Sequence, residues 1–200
     1  MKLSLLLASA ATVALAAPTS DLSKKDIAAR QLDLIYPTAT FRYWIHTGEV
    51  KEDPQDQLLI VKNGNDANES STIVTFQFDD SLSGRECQLL FDLWDDRDHS
   101  TGTQNLDVFS RVNPPTSAFN VQSIPALRPA GGAGYRDRHQ GRIHAVLPGS
   151  ATWIESLHGW PVFDCPVNEL IGIEFVGAGD LVEVRWDIGV TGPRIQPVPI

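Results

Sequence analysis

From residue 92 the chain reads Asp92-Leu93-Trp94-Asp95-Asp96-Arg97-Asp98, four carboxylates and one indole within a single strand end and loop. Two chemistries draw on such a set. Carboxylate oxygens are hard ligands for Ca²⁺, which makes Asp95, Asp96 and Asp98 the weak metal candidates of this chain. Their spacing is not that of a known calcium loop, so the segment reads as a solvated acidic loop, and no metal or other cofactor is expected. The second chemistry is sugar binding. An indole face packs on the apolar face of a sugar ring, and a neighbouring carboxylate accepts from its hydroxyls. Trp94 and Asp92 share the outward parity of their strand, and are the candidate platform; the bland alternative has Trp94 packed beneath a loop from the 114–135 region. Trp153 and Trp160 flank His158 in a loop-like segment and offer the same kind of ring.

Catalysis finds less support. Glycoside hydrolysis needs two carboxyl groups at a set separation across a cleft, and in so acidic a chain some pair always looks available. No nucleophile elbow, no His-Glu-x-x-His and no phosphate-cradling glycine loop is present. His46, His99, His139, His144 and His158 are scattered without ligand spacing. General acid–base work needs a group with a tuned pKa, usually in a burying pocket. The carboxylates fall in loops (Asp95, Asp96, Asp98) or at solvent-facing strand positions (Glu183, Asp187), so no catalytic residue is expected.

The elements that must carry these groups have period two. Past the first segment no amphipathic helix is evident, whereas residues 57–62, 72–78, 87–94, 104–112, 142–147, 151–156, 169–176 and 181–188 read as strands. Val74, Phe76 and Phe78 share one face, as do Cys87, Leu89, Phe91 and Leu93, and again Val182, Val184, Trp186 and Ile188. Asn63-Gly64-Asn65-Asp66 is turn chemistry, and Gly177-Ala178-Gly179-Asp180 suits a tight hairpin. Residues 125–134 are rich in Pro, Gly and Ala and read as an irregular connection. Arg136, Arg138 and Arg142, with His139 and His144, read as a solvated basic loop. Eight or nine short strands, each with one apolar face, argue for an all-β, two-sheet antiparallel β-sandwich, jelly-roll-like, over residues 36–200.

The first residues have a different purpose. Lys2, the apolar run 3–15 and Ala14-Leu15-Ala16 are the three parts of a secretory signal, read as residues 1–16 with the cut after Ala16 or Ala17. The run is too short to span a bilayer, and no other stretch is long and apolar enough. Residues 17–35 read either as a pro-segment trimmed after Arg30 or as a disordered tail. Export bears on Cys87 and Cys165, the two cysteines of the chain. In an oxidising compartment two cysteines most simply pair, and both sit in phase with apolar neighbours, so a core-spanning disulfide is expected. Asn68-Glu69-Ser70 is the one N-x-[ST] sequon, in a polar run between strands, and marks Asn68 for glycosylation. A formal charge of −9 leaves no electrostatic footprint for nucleic acid or an anionic membrane surface.

Several of these residues together resemble a fungal family. They are Tyr36-Pro37, then Phe76-x-Phe78-Asp79 followed by Ser83-Gly84-x-x-Cys87-x-Leu89-x-Phe91. Thr101-Gly102-Thr103 leads to Asp107-Val108-Phe109-Ser110, and Phe163-Asp164-Cys165-Pro166 and Gly179-Asp180 come later. Over residues 36–190 this pattern is similar to the domain described as "ubiquitin 3 binding protein But-two, C-terminal". The acidic loop at 95–98 and the arginines at 136–142 depart from the pattern and inherit nothing. The resemblance implies a secreted or wall-associated module without known activity. Its name implies a partner among the enzymes that activate ubiquitin-like proteins, inside the cell, whereas the signal directs this chain outside. The expected function is a non-catalytic cell-wall module that binds a glycan or an extracellular protein. An extracellular hydrolase of unrecognised type, and the partner in the family name, stand as alternatives. The sequence sets no oligomeric state.

Overall fold

The computed structural model describes residues 34–52, 58–116 and 134–198. The expected signal at 1–16, most of the 17–35 segment, residue 57 and most of the 125–134 connection lie outside the described residues. Among the described residues fourteen strands are formed: β1 Ala39–Trp44, β2 Val50–Glu52, β3 Ile60–Lys62, β4 Ser70–Gln77, β5 Glu86–Leu93, β6 His99–Gly102, β7 Asn105–Val112, β8 Tyr135–His144, β9 Gly149–Ser150, β10 Thr152–Ser156, β11 Val162–Asp164, β12 Leu170–Ala178, β13 Val182–Arg185 and β14 Gly192–Val198. The fold is all-β, with two antiparallel sheets and one disulfide, as the period-two patterns predict.

The large sheet runs β10-β8-β7-β12-β4-β3-β13-β6, with β1 paired to β4 and β2 to β1. The small sheet runs β11-β5-β14, with β9 also on β5. The two apolar faces meet in one core. β5 contributes Cys87, Leu89, Phe91 and Leu93; β4 contributes Val74 and Phe76; β12 contributes Ile173 and Phe175; β13 contributes Val182 and Val184. Phe91 of the small sheet meets Phe175 of the large sheet at 5.3 Å between ring centroids, and meets Trp186 edge-on at the same distance. Burying each such ring is worth roughly 1.5–3 kcal/mol by area. A second cluster of Phe41, Val50 and Ile73 packs on the other face of β4. That strand is therefore covered on both sides, and its alternation is clear only over Val74-Thr75-Phe76-Gln77.

Two expectations about the strands need correction. Residues 136–142 are part of strand β8, because Arg142 and Arg136 lie opposite Asp107 and Arg111 of β7 in an antiparallel ladder. Their polarity suggested a loop, but it reflects one polar sheet face. The turn at 177–180 is a corner rather than a hairpin, since β13 pairs with β3 and β6, whereas β12 pairs with β4 and β7. Strand β14 went unseen because it holds Pro193 and Pro197. Its Ile195 N–H donates to Ile35 rather than to β5, so the odd-numbered residues aim their amides away from β5. The two prolines lack only donors that the β5 ladder does not use. Gly192 opens β14 at φ +87°, where a Cβ would sit 2.4 Å from the Trp186 ring.

Cys87 and Cys165 are bonded, with Cα atoms 5.1 Å apart. Both are buried, but the bond does not cross the core. β11 pairs with β5 at Phe163↔Cys87, so the bridge joins the end of β11 to its own sheet neighbour. The sequence separation is 78 residues, for which the chain-entropy model gives about 4.5 kcal/mol. The double variant Cys87→Ala/Cys165→Ala is expected to lose about 2–5 kcal/mol of unfolding free energy, read from urea unfolding against the oxidised parent. A loss under about 0.5 kcal/mol would contradict the constraint ascribed to the bond.

Candidate functional site

The outward face of β5 presents Gln88, Leu90 and Asp92, and it is here that a groove of about 310 Å³ lies. Trp94, Trp153, Ser150 and Arg194 complete its walls. Four strands or strand ends converge to make it. β14 sets Arg194 opposite Leu90, β9 sets Ser150 opposite Asp92, and β10 brings Trp153 from the edge of the large sheet.

Asp92 is on the outward parity, as expected, but it is not free to receive a sugar hydroxyl with its whole carboxylate. It is only 4% exposed. Its Oδ1 accepts from Ser150 Oγ at 2.5 Å, and its Oδ2 accepts from Arg194 Nη2 in an ion pair. Two lone-pair positions of the carboxylate remain after those bonds.

Trp94 follows the last residue of β5 and is 55% exposed. Most of the 114–135 loop named in the alternative lies outside the described residues. The Arg194 guanidinium sits 5.4 Å from its ring centroid, a cation–π contact that steadies the indole. Trp153 is half-buried and borders the groove. Trp160 does not line it: its ring stacks on Phe163 at 4.6 Å and packs against the core, 6.3 Å from Trp153. Trp160 is therefore a support for Trp153 and not a second platform. His158 is exposed on the same loop.

The acidic loop divides by role. Asp98, expected to be hydrated, is buried and accepts from the backbone N–H groups of Trp94 (2.7 Å), Asp95 (2.9 Å) and Asp187 (3.0 Å) and from Thr191 Oγ1 (2.7 Å). A carboxylate so engaged ties the turn after β5 to the start of β14. Asp95 accepts from the Arg97 backbone N–H and from its guanidinium, and these bonds hold its carboxyl below the usual range. Arg97 also pairs with Asp187, which is consequently not a solvent-facing strand carboxylate. Among the described residues no group of three or more His, Cys, Asp or Glu could hold a metal ion.

The sequence reading missed one cluster altogether. Glu174 of β12 is fully buried on the face opposite Ile173 and Phe175. It accepts from Ser71 Oγ at 2.6 Å and from Arg136 Nη2 at 2.6 Å, and pairs with Arg111. A lone acid in the apolar run Ile171-Gly172-Ile173-Glu174-Phe175-Val176 was the available signal; its partners, on three other strands, were not readable. Arg136 lies over the Phe109 ring at 4.7 Å and Arg111 over Tyr43 at 5.6 Å. With its carboxylate so fully engaged, the cluster holds strands together and offers no open carboxylate.

The chain matches no protein-family model and no curated protein.

Burial opposes ionisation of Glu174, but the bond from Arg136, the charges of Arg111 and Arg136 and the Ser71 bond outweigh it and lower its pKa. A lowered folded-state pKa stabilises the fold fully above the unfolded value, about 4.3, and that increment is lost as pH falls through the folded value. Glu174→Gln leaves two arginines without their counter-charge, and is expected to cost about 3–5 kcal/mol at neutral pH. The gap between parent and variant narrows in acid, where Glu174 is itself neutral. Urea unfolding at about pH 7 and at about pH 2.5 checks this; a gap that stays constant or widens in acid would refute the assignment.

Proposed function

We propose that this chain is a secreted β-sandwich module, extracellular or associated with a cell wall, that binds a glycan without transforming it. The observation that carries the reading is the groove on β5, where the exposed Trp94 and the half-buried Trp153 flank hydrogen-bonding groups on a rigid sheet. Apolar rings beside a few fixed polar groups are the composition of a small-ligand site. The buried disulfide supports an oxidising compartment, in keeping with the signal read at 1–16. No described helix is long and apolar enough to cross a membrane. The resemblance to the fungal domain belongs to the same reading: its two cysteine contexts fall on adjacent strands. Its named intracellular partner does not suit an exported chain. The non-catalytic reading rests on Asp92, the carboxylate that lines the groove, being held by Arg194 and Ser150 rather than poised as an acid or base.

A glycan array probed with the full chain is expected to give binding to at least one sugar class. Trp94→Ala removes roughly 1–2 kcal/mol of that binding, a five- to thirty-fold loss, with the unfolding midpoint unchanged because the ring is exposed. An empty array, or equal binding by the variant, defeats the proposal.

Glycosylation is a separate element of the same reading. Asn68 is exposed in the turn between β3 and β4, its N–H bonded to Asn65 O. Protein secreted from a fungal host is expected to gain mobility on treatment with an N-glycosidase, and Asn68→Gln to abolish that shift. An untreated parent that already runs with the variant would contradict it.

A further inference from the structure

The charge balance of the groove adds a selectivity to the sugar-binding reading, on which it rests. We propose that the groove accepts uncharged sugars and discriminates against both uronates and free amino sugars. Arg194 occupies the position a ligand cation would want, 5.4 Å from the Trp94 ring centroid. A protonated amino sugar stacking on that indole would meet a like charge, and the ring's attraction for cations is already used. Asp92 in turn compensates Arg194. It is buried, and its Oδ2 is paired with the guanidinium. A uronate approaching Arg194 would come close to that carboxylate, where like charges repel most strongly. The chain's formal charge of −9 adds a longer-range penalty for polyanions.

What remains at the groove is hydrogen-bonding capacity with no net charge. The Gln88 amide can donate to and accept from hydroxyls and acetamido groups, and Ser150 Oγ and the spare lone pairs of Asp92 can accept from them. The groove's 310 Å³ lies at the low end of the roughly 300–1,000 Å³ of ligand pockets. A neutral hexose or N-acetylhexosamine unit of a longer glycan suits both the size and the charge.

The test is calorimetric titration of the full chain with matched-length oligomers of glucose, N-acetylglucosamine, galacturonate and glucosamine, each at about 50 and 300 mM salt. A neutral oligomer is expected to bind with less than about a twofold change between the two salts, and the charged oligomers at least about tenfold more weakly. Trp94→Ala should weaken whatever binds. Uronate or glucosamine bound as tightly as the neutral oligomer, and weakened by Trp94→Ala, overturns the charge selection while leaving the sugar site standing. If no oligomer binds, or if Trp94→Ala binds like the parent, the sugar site itself falls and the selection with it. Asp92→Asn removes the compensating charge and is expected to raise galacturonate affinity about tenfold; no gain in a folded variant counts against the proposal. Should that variant fail to fold, the comparison of oligomers on the parent and on Trp94→Ala decides the matter.

Discussion

Everything at the groove depends on the register of one strand. β5 is pleated so that Cys87, Leu89, Phe91 and Leu93 close the core, and Gln88, Leu90 and Asp92 face away from it. A slip of one residue would exchange the two sets. Phe91, wedged against Phe175 and Trp186, resists that slip most directly, because moving it would open a ring-sized void between the sheets. The disulfide adds a covalent pin at the other end of the strand, fixing β11 beside Cys87. The apolar junction inside thus determines where the polar groups stand outside.

The polar knots extend this control across the sheet edges. Asp98 gathers donors from the turn after β5 and from the segment entering β14. Asp92 then joins β5 to β9 and β14 through Ser150 and Arg194. Glu174 does the same for the large sheet, drawing β4, β7 and β8 onto β12. Each is a buried carboxylate surrounded by donors, the condition under which a charge is tolerated inside a protein. Their shared consequence is rigidity in the strands that carry the surface groups, rather than net stability, since desolvation offsets much of the attraction.

How much of this was legible depended on whether a feature is local. Period two in residues 87–93, 169–176 and 181–188 reports burial on one face, and it indicated the two-sheet class, the core faces and the outward placement of Trp94. β4 was read at 72–78 but its first residues were not, since both its faces are covered there, and β14 was hidden because its prolines imitate a breaker. The 136–142 stretch misled because a run of charges looks the same in a loop and along the polar face of a strand. Asp98 looked hydrated because nothing local reveals that the amide of Asp187 and the hydroxyl of Thr191 fold back to it. Arg194, Ser150 and the partners of Glu174 were illegible for the same reason: pairing across long separations brings them together, and a single sequence carries no trace of it.

The same distinction bears on the binding role proposed for the groove. A ring on a mobile loop would lose rotational freedom on binding, at a cost of about 0.5–1.5 kcal/mol for each side chain immobilised. Trp94 has already lost much of it. Its amide is held by Asp98, its ring lies against Arg194, and Arg194 is itself held by Asp92. The acidic loop, which suggested a metal by composition, instead contributes a carboxylate that fixes an aromatic ring. Under the proposed sugar-binding role, preorganisation of this kind would leave most of the stacking energy available to a ligand, and it arises from charges that such a ligand need not touch.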